Sequence, residues 1–85
     1  MALQITGMEN IEWDGKTVRT KVRFESKRKP KGERIESALR AFYGLDVVQS
    51  LYDIGRNPLI SIEQMGWEKG ERFALVEIKK RRCSG

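Results

Sequence analysis

The sequence predicts an α+β domain in which two β-hairpins flank two short helices, in the order β-β-α-α-β-β. Apolar and polar residues alternate in two regions that each surround a turn, which is the pattern of a half-buried hairpin. Between these regions the apolar spacing changes to that of an amphipathic helix. With 85 residues, we expect one domain at residues 1–80, a four-stranded, mainly antiparallel sheet with both helices on one face, and a flexible basic tail at residues 81–85.

The first hairpin is predicted around Asp14-Gly15, a dipeptide favoured in two-residue turns because both residues adopt positive φ. This turn places Ile11 opposite Val18. Further along the strands it places Ile5 opposite Phe24, so apolar side chains meet on one face. The strand after the turn alternates cleanly, and its basic side chains share the opposite face. These basic residues are Arg19, Lys21 and Arg23.

Glu9 is the one residue that does not fit this pattern. The regular register pairs Gly7 with Val22 and points Glu9 toward the core. A β-bulge near Gly7 would turn Glu9 out to solvent, and we predict a bulge at this position.

The apolar spacing changes after a basic loop at residues 26–32. The residues that follow the i, i+3, i+4, i+7 stripe of an amphipathic helix are Ile35, Ala38, Leu39 and Phe42. This stripe predicts a helix over about residues 33–43, ended by Gly44. Asp46 is predicted to cap a second short helix, which ends before Gly55.

The second hairpin is predicted from about Leu59 to Lys80, with a three-residue loop at 68–70 and Gly70 in the left-handed conformation. Its inward pairs are Ile60–Ile78, Ile62–Val76 and Gln64–Ala74. Unlike the first hairpin, it is apolar on much of both faces. Two short helices cover only one side of the sheet, so the other side would present a patch that a two-fold dimer could bury. The candidate interface residues are Leu59, Met65, Trp67, Phe73 and Leu75.

Basic residues are strongly segregated along the chain. Residues 16–31 contain eight of the seventeen Lys and Arg residues and one acid, and a second basic run lies at residues 79–82. A distribution this uneven indicates an anionic partner, most often nucleic acid. The predicted phosphate contacts are Arg19, Lys21, Arg23, Lys27, Arg28, Lys29, Lys31, Lys79, Lys80, Arg81 and Arg82.

Each of these features has an alternative explanation. Charge on an edge strand also prevents edge-to-edge aggregation. The run at 79–82 extends the basic patch only if the second strands of the two hairpins end on the same side of the sheet, and it is otherwise a solubilising tail. Trp13, beside the first turn, is expected to cap the core edge rather than stack on a base.

The composition excludes several classes of site. The chain has no histidine and one cysteine, Cys83, which excludes the usual zinc sites, a disulfide framework within the chain and the Ser-His or Cys-His nucleophile pairs. No window approaches the ~18 consecutive apolar residues of a membrane span, and no secretory signal is recognisable. We expect a cytoplasmic, non-enzymatic protein that has no cofactor, metal or membrane association.

The leading expectation is a small binding protein that contacts nucleic acid phosphates through its basic strand and loop. One alternative is a protein-interaction module, such as an inhibitor or a virus-encoded adaptor, that docks on an acidic protein. Another is a homodimeric structural subunit. Nucleic acid binding should depend steeply on salt because phosphates release counterions, whereas a protein dock should need shape complementarity. The sequence does not separate DNA from RNA.

Overall fold

The alternating segments form four strands and the amphipathic segments form two helices in a computed structural model that describes residues 3–81. The strands are β1 (Gln4–Trp13), β2 (Thr17–Glu25), β3 (Leu59–Gly66) and β4 (Phe73–Lys79). The helices are α1 (Gly32–Arg40) and α2 (Tyr43–Leu51), and one turn of 3-10 helix (Glu68–Gly70) lies between β3 and β4. The strands form one antiparallel sheet in the order β1-β2-β4-β3. The predicted α+β class and element order are confirmed.

The core lies between one face of the sheet and the two helices. The central strands supply its fully buried middle, which consists of Val18, Val22, Ala74, Val76 and Ile78. The helices cover this middle with Ile35, Leu39, Leu45 and Val48. All of these residues belong to one cluster, so both helices pack on the same face. The opposite face, termed the outer face, carries the alternate residues of the central strands, which are Arg19, Lys21, Arg23, Phe73, Leu75 and Glu77.

The turn of the first hairpin is wider than the sequence predicts. Asp14 Oδ1 accepts hydrogen bonds from the backbone N–H groups two and three residues further on, at 2.9 and 2.8 Å. With this wider turn, the residue opposite Val18 is Trp13, so the predicted pairing of Ile11 with Val18 is wrong. Ile11 is instead 40% exposed.

Two bulges in β1 restore the predicted register at the far end of this hairpin. One contains Asn10, whose φ is 52°, and the other lies directly before Gly7, where a bulge is predicted. Beyond them Ile5 pairs with Phe24, as predicted. The bulge near Gly7 was predicted because it would turn Glu9 toward solvent, and the side chain of Glu9 is exposed.

Between the two bulges the predicted pairing is wrong by one residue. Val22 lies opposite Met8 rather than Gly7. Met8 is partly buried and packs against the core. A side chain therefore covers Val22 at a position where the predicted glycine would have left space.

The second hairpin begins in the predicted register and then departs from it. The confirmed pairs are Ile60–Ile78 and Ile62–Val76. A bulge at Glu63 shifts the following residues, so Met65 rather than Gln64 lies opposite Ala74. Met65 is therefore on the helix side, where it packs against the core. Its predicted place on the outer face is wrong.

The connection between β3 and β4 is also longer than predicted. It runs over six residues, 67–72, because β3 ends at Gly66 and β4 begins at Phe73. Gly70 has the predicted positive φ, at 80°, and Lys69 shares the left-handed region at 56°. The three-residue loop is therefore wrong, although its glycine is correctly identified.

The boundary between the helices differs from the prediction because of Phe42. This residue is extended (φ −90°, ψ 129°) and precedes α2, so α1 ends at Arg40. The Phe42 ring lies against Gly44, where an added Cβ would overlap it. Gly44 is thus required in the first turn of α2 by a close approach, and it does not end α1. Asp46 lies inside that first turn rather than at the N-cap.

Each helix spans nine residues. Within residues 3–81, no helix is long and apolar enough to cross a membrane.

Candidate nucleic-acid interface

Three of the predicted phosphate contacts project from β2 on the outer face of the sheet, and we term them the ridge. They are Arg19, Lys21 and Arg23. Both arginines are exposed, whereas the lysine is half-buried. Val18 and Val22 lie on the helix-covered face, which confirms the alternation predicted for this strand.

Neighbouring segments place carboxylates beside both arginines of the ridge. Arg19 Nη1 lies 2.9 Å from Asp14 Oδ2, and its Nη2 lies 3.4 Å from Glu77 Oε2. Arg23 Nε lies 3.1 Å from Glu9 Oε2. The acids come from β1, from the first turn and from β4, so they are close to the ridge only because of the strand order.

The charge of the outer face is consequently near balance. Glu12 of β1 is also opposite Arg19, so four carboxylates accompany three basic side chains. Lys21 has a further contact, because its Nζ lies 4.4 Å from the centroid of the Phe73 ring. A phosphate that approached the ridge would meet these carboxylates, which weakens the attraction that the sequence suggests.

The Asp14 carboxylate is held in its charged form. Backbone hydrogen bonds from Lys16 and Thr17, and then the hydrogen bond from Arg19, lower the pKa of Asp14 from 3.8 to about 2. The hydrogen bond to Asp14 also raises the pKa of Arg19 above its usual value. Both partners stay charged at neutral pH, so this ion pair persists there.

The basic side chains that follow the ridge have different surroundings. We term residues 26–31, which join β2 to α1, the basic loop. Its exposed cations are Lys27, Arg28, Lys29 and Lys31. The Ser26 hydroxyl donates to the Arg28 carbonyl oxygen at 2.6 Å, which closes a turn at the start of the loop. In the described part of the chain, no ion pair within 4.0 Å involves these four side chains.

The basic loop and the start of α1 line a concavity of about 560 Å³. Its basic side chains are Arg28, Lys29, Lys31 and Arg34, and Glu33 is the acidic residue of the lining. Arg34 is absent from the contacts that the sequence predicts. It follows Lys31 by three residues, and side chains in a helix lean toward its N-terminus. That spacing is the signal that could have identified it.

The second basic run lies at the opposite end of the sheet. Because β2 and β4 are antiparallel, Thr17 pairs with Lys79, and the run begins beside the first hairpin turn. At ~3.4 Å per residue along β2, the two basic ends are about 27 Å apart. The expectation that the run extends the same patch is wrong. Arg81 Nε donates to the Asn57 carbonyl oxygen at 2.9 Å, whereas Arg82 and the rest of the predicted tail lie outside the described residues.

An aromatic pair lies beside this second run. The rings of Trp13 and Tyr52 have centroids 5.2 Å apart and planes tilted by 31°. Trp13 is 41% exposed, so it covers the core edge only in part. The two rings line a concavity of about 660 Å³ whose basic residues are Lys16, Lys79 and Lys80. Strand alternation places the Lys79 side chain on the outer face, since Lys79 pairs with Leu59.

The candidate dimer interface is only partly present on the outer face. Leu59, Phe73 and Leu75 lie there, and Met65 does not. Trp67 is half-buried and packs against the core. The Phe73 ring also lies across the backbone of Gly66, which further reduces the apolar surface available to a partner.

The most exposed large apolar side chains in the described part of the chain lie on α2. They are Tyr43, Val47 and Leu51, which are 84%, 56% and 71% exposed. Their four-residue spacing places them in one stripe along the helix. This four-residue spacing is visible in the sequence, and it is the signal that could have identified the stripe.

Among residues 3–81, no group of three or more His, Cys, Asp or Glu side chains is arranged to hold a metal ion. No protein-family model matches the chain, and comparisons with curated proteins and with solved structures give no significant match.

Proposed function

We propose that the protein is a small, cytoplasmic, non-enzymatic nucleic-acid-binding protein whose main contact with the phosphate backbone is the basic loop. The observation that carries this proposal is the difference in pairing between two sets of cations. The ridge arginines have carboxylates within 3.4 Å, whereas in the described residues the basic loop has none within 4.0 Å. Exposed cations without such partners bind phosphate without first losing an intramolecular contact.

The number of cations sets the expected salt dependence. The basic loop supplies four, and Arg34 adds a fifth at the same concavity. Each neutralised phosphate contributes ~0.9 to the slope of log K against log salt for a duplex and ~0.7 for a single strand. Five contacts therefore correspond to a slope with a magnitude of roughly 4.

A pair of charge-matched variants tests this proposal. Lys27→Gln with Lys29→Gln removes two positive charges from the basic loop, and Arg19→Gln with Arg23→Gln removes two from the ridge. We expect the loop variant to lower the magnitude of the salt slope by about 2 and the ridge variant to change it little. Fluorescence anisotropy of a labelled oligonucleotide, titrated between ~50 and ~200 mM salt, measures both slopes.

Two outcomes of this experiment would count against the proposal. If the loop variant binds as tightly as the parent at every salt concentration, the basic loop is not the contact surface. If the parent binds no oligonucleotide even at low salt, nucleic acid is not the partner, and docking on an acidic protein becomes the leading explanation of the basic loop.

The exposed stripe on α2 favours a second candidate function, self-association. A two-fold contact between stripes would bury Tyr43, Val47 and Leu51 of both copies. Light scattering should then report twice the 9.8 kDa of one chain, and Val47→Ser with Leu51→Ser should restore the monomer. A monomeric mass for the parent at high micromolar concentration would eliminate this candidate.

A further inference from the structure

The concavity beside the second basic run is formed by three separate parts of the chain. The first hairpin turn contributes Trp13 and Lys16, the end of α2 contributes Tyr52, and the end of β4 contributes Lys79 and Lys80. Its volume of about 660 Å³ lies in the range of small-molecule sites, roughly 300–1,000 Å³. We term it the aromatic–lysine pocket.

The aromatic ring of this pocket is both held in place and accessible. Trp13 contacts Tyr52, with ring centroids 5.2 Å apart, yet 41% of its surface remains exposed. The wide turn at Asp14 causes this placement, because it sets Trp13 opposite Val18 on the helix side of the sheet. An indole positioned before a ligand arrives offers stacking surface with little further loss of side-chain entropy.

The charges around the ring favour an anionic ligand. Lys16 and Lys80 are exposed, and in residues 3–81 no ion pair involves them. Lys79 also lines the pocket, but strand alternation places its side chain on the outer face, where it pairs with Leu59. Asp53 is the acidic residue of the lining, so the two lysines exceed it by one positive charge. A flat apolar ring beside two ammonium groups matches the two parts of a nucleotide, which are a base and a phosphate.

We propose that the aromatic–lysine pocket is a base-stacking subsite for single-stranded nucleic acid. One base stacks on Trp13, and the adjacent phosphates contact Lys16 and Lys80. This inference rests on the proposed function, because the basic loop supplies the main contact with the same strand. In a duplex the bases are paired and stacked on one another, so their faces are not available to the ring. A strand of ~12 nucleotides is long enough to reach the basic loop about 27 Å away, since even stacked nucleotides extend ~3.4 Å each.

Substitution of Trp13 gives the primary test. The probes are a labelled oligothymidine of ~12 nucleotides and the same strand paired with oligoadenosine. We expect Trp13→Ala to weaken binding of the single strand about tenfold and to leave duplex binding unchanged. Trp13→Phe should restore most of the single-strand affinity, because a smaller aromatic ring still stacks. Ile11→Ala is the matched control, since it removes an apolar side chain of similar exposure outside the pocket.

Fluorescence gives a direct readout of stacking. The chain has two tryptophans, so Trp67→Phe leaves Trp13 as the only indole. Its emission should be quenched when the single strand saturates the protein and should change little with the duplex. Equal quenching by both forms, or none by either, would overturn the inference.

The outcomes separate this inference from the proposed function. If Trp13→Ala binds the single strand as tightly as the parent while the loop variant binds both forms weakly, the pocket fails and the basic loop stands. If only Trp13→Ala weakens binding, the basic loop fails and the pocket stands.

Should circular dichroism show that Trp13→Ala is unfolded, Lys16→Gln with Lys80→Gln replaces it, because both side chains are exposed. This variant must lower the salt slope for the single strand, and an unchanged slope overturns the inference.

Discussion

The ridge and the basic loop come from one continuous stretch of basic sequence, yet the fold gives them opposite surroundings. The ridge lies on β2, which has a strand on each side, and these strands contribute Glu9 and Glu77. The basic loop leaves the sheet at the end of β2, and within residues 3–81 no carboxylate forms an ion pair with it. The fold therefore leaves one part of a run of like charge unpaired and places the other part in ion pairs.

The two regions also differ in packing, because the ridge lies on the packed sheet and the basic loop is exposed. Gly66→Ala changes the packing of the sheet and has the largest expected effect. A Cβ at Gly66 would overlap the Phe73 ring on the outer face, so we expect the free energy of unfolding to fall by about 1–3 kcal/mol. Urea denaturation measures it. Gly7→Ala is the matched control in the other edge strand, because its Cβ would meet no atom within 4 Å. Lys29→Ala in the basic loop should change stability by less than about 0.5 kcal/mol.

Equal stability of Gly66→Ala and Gly7→Ala would contradict the position of the Phe73 ring. The comparison of two Gly→Ala changes matters because alanine by itself favours a strand over the unfolded chain. The difference between the two variants therefore reports the overlap with the ring alone.

Removal of the acids beside the ridge should make it resemble the basic loop. Glu9→Gln with Glu77→Gln frees Arg23 and one contact of Arg19, and we expect the magnitude of the salt slope to rise by up to about 2. The matched control is Glu68→Gln with Glu71→Gln, which gives the same net charge without touching the ridge. An equal change in both variants would mean that total charge, rather than pairing, determines binding.

A smaller effect is expected when the pH falls, and it concerns the ridge, because Asp14 is the partner of Arg19. The folded-state pKa of Asp14 is lowered to about 2, so its stabilising contribution is present above pH ~4 and is lost as pH falls toward 2. A carboxyl-carbon NMR titration should give this value. Arg19→Gln should raise the pKa only partly, because backbone hydrogen bonds are the larger cause of the shift. A value near 3.8 in the parent would contradict the turn geometry.

The ridge could be predicted from the sequence because strand alternation is a local pattern. Val18, Arg19 and Lys21 reveal their faces by their spacing alone. The ion pairs of the ridge could not be predicted in the same way. Arg19 and Glu77 are 58 residues apart and meet only because β2 pairs with β4, a choice that no local pattern specifies.

At the first hairpin turn and at the boundary between α1 and α2, the local sequence fits two different conformations. Asp14-Gly15 fits a two-residue turn, but its carboxylate also closes a wider one by accepting two backbone hydrogen bonds. Gly44 fits a helix end, but it also fits a position where the Phe42 ring needs space. In each case a tertiary or side-chain contact decided between conformations that the sequence permits.

The central position of β2 and β4 also determines when the protein can fold. Val18 and Ile78 are neighbours in the sheet but 60 residues apart in the chain, so the core closes only after the last strand is made. Such non-local pairing predicts folding in milliseconds to seconds rather than microseconds, because the entropy of closing a long loop is lost first. During synthesis, the edge of β2 that pairs with β4 therefore stays without its strand partner until β4 leaves the ribosome.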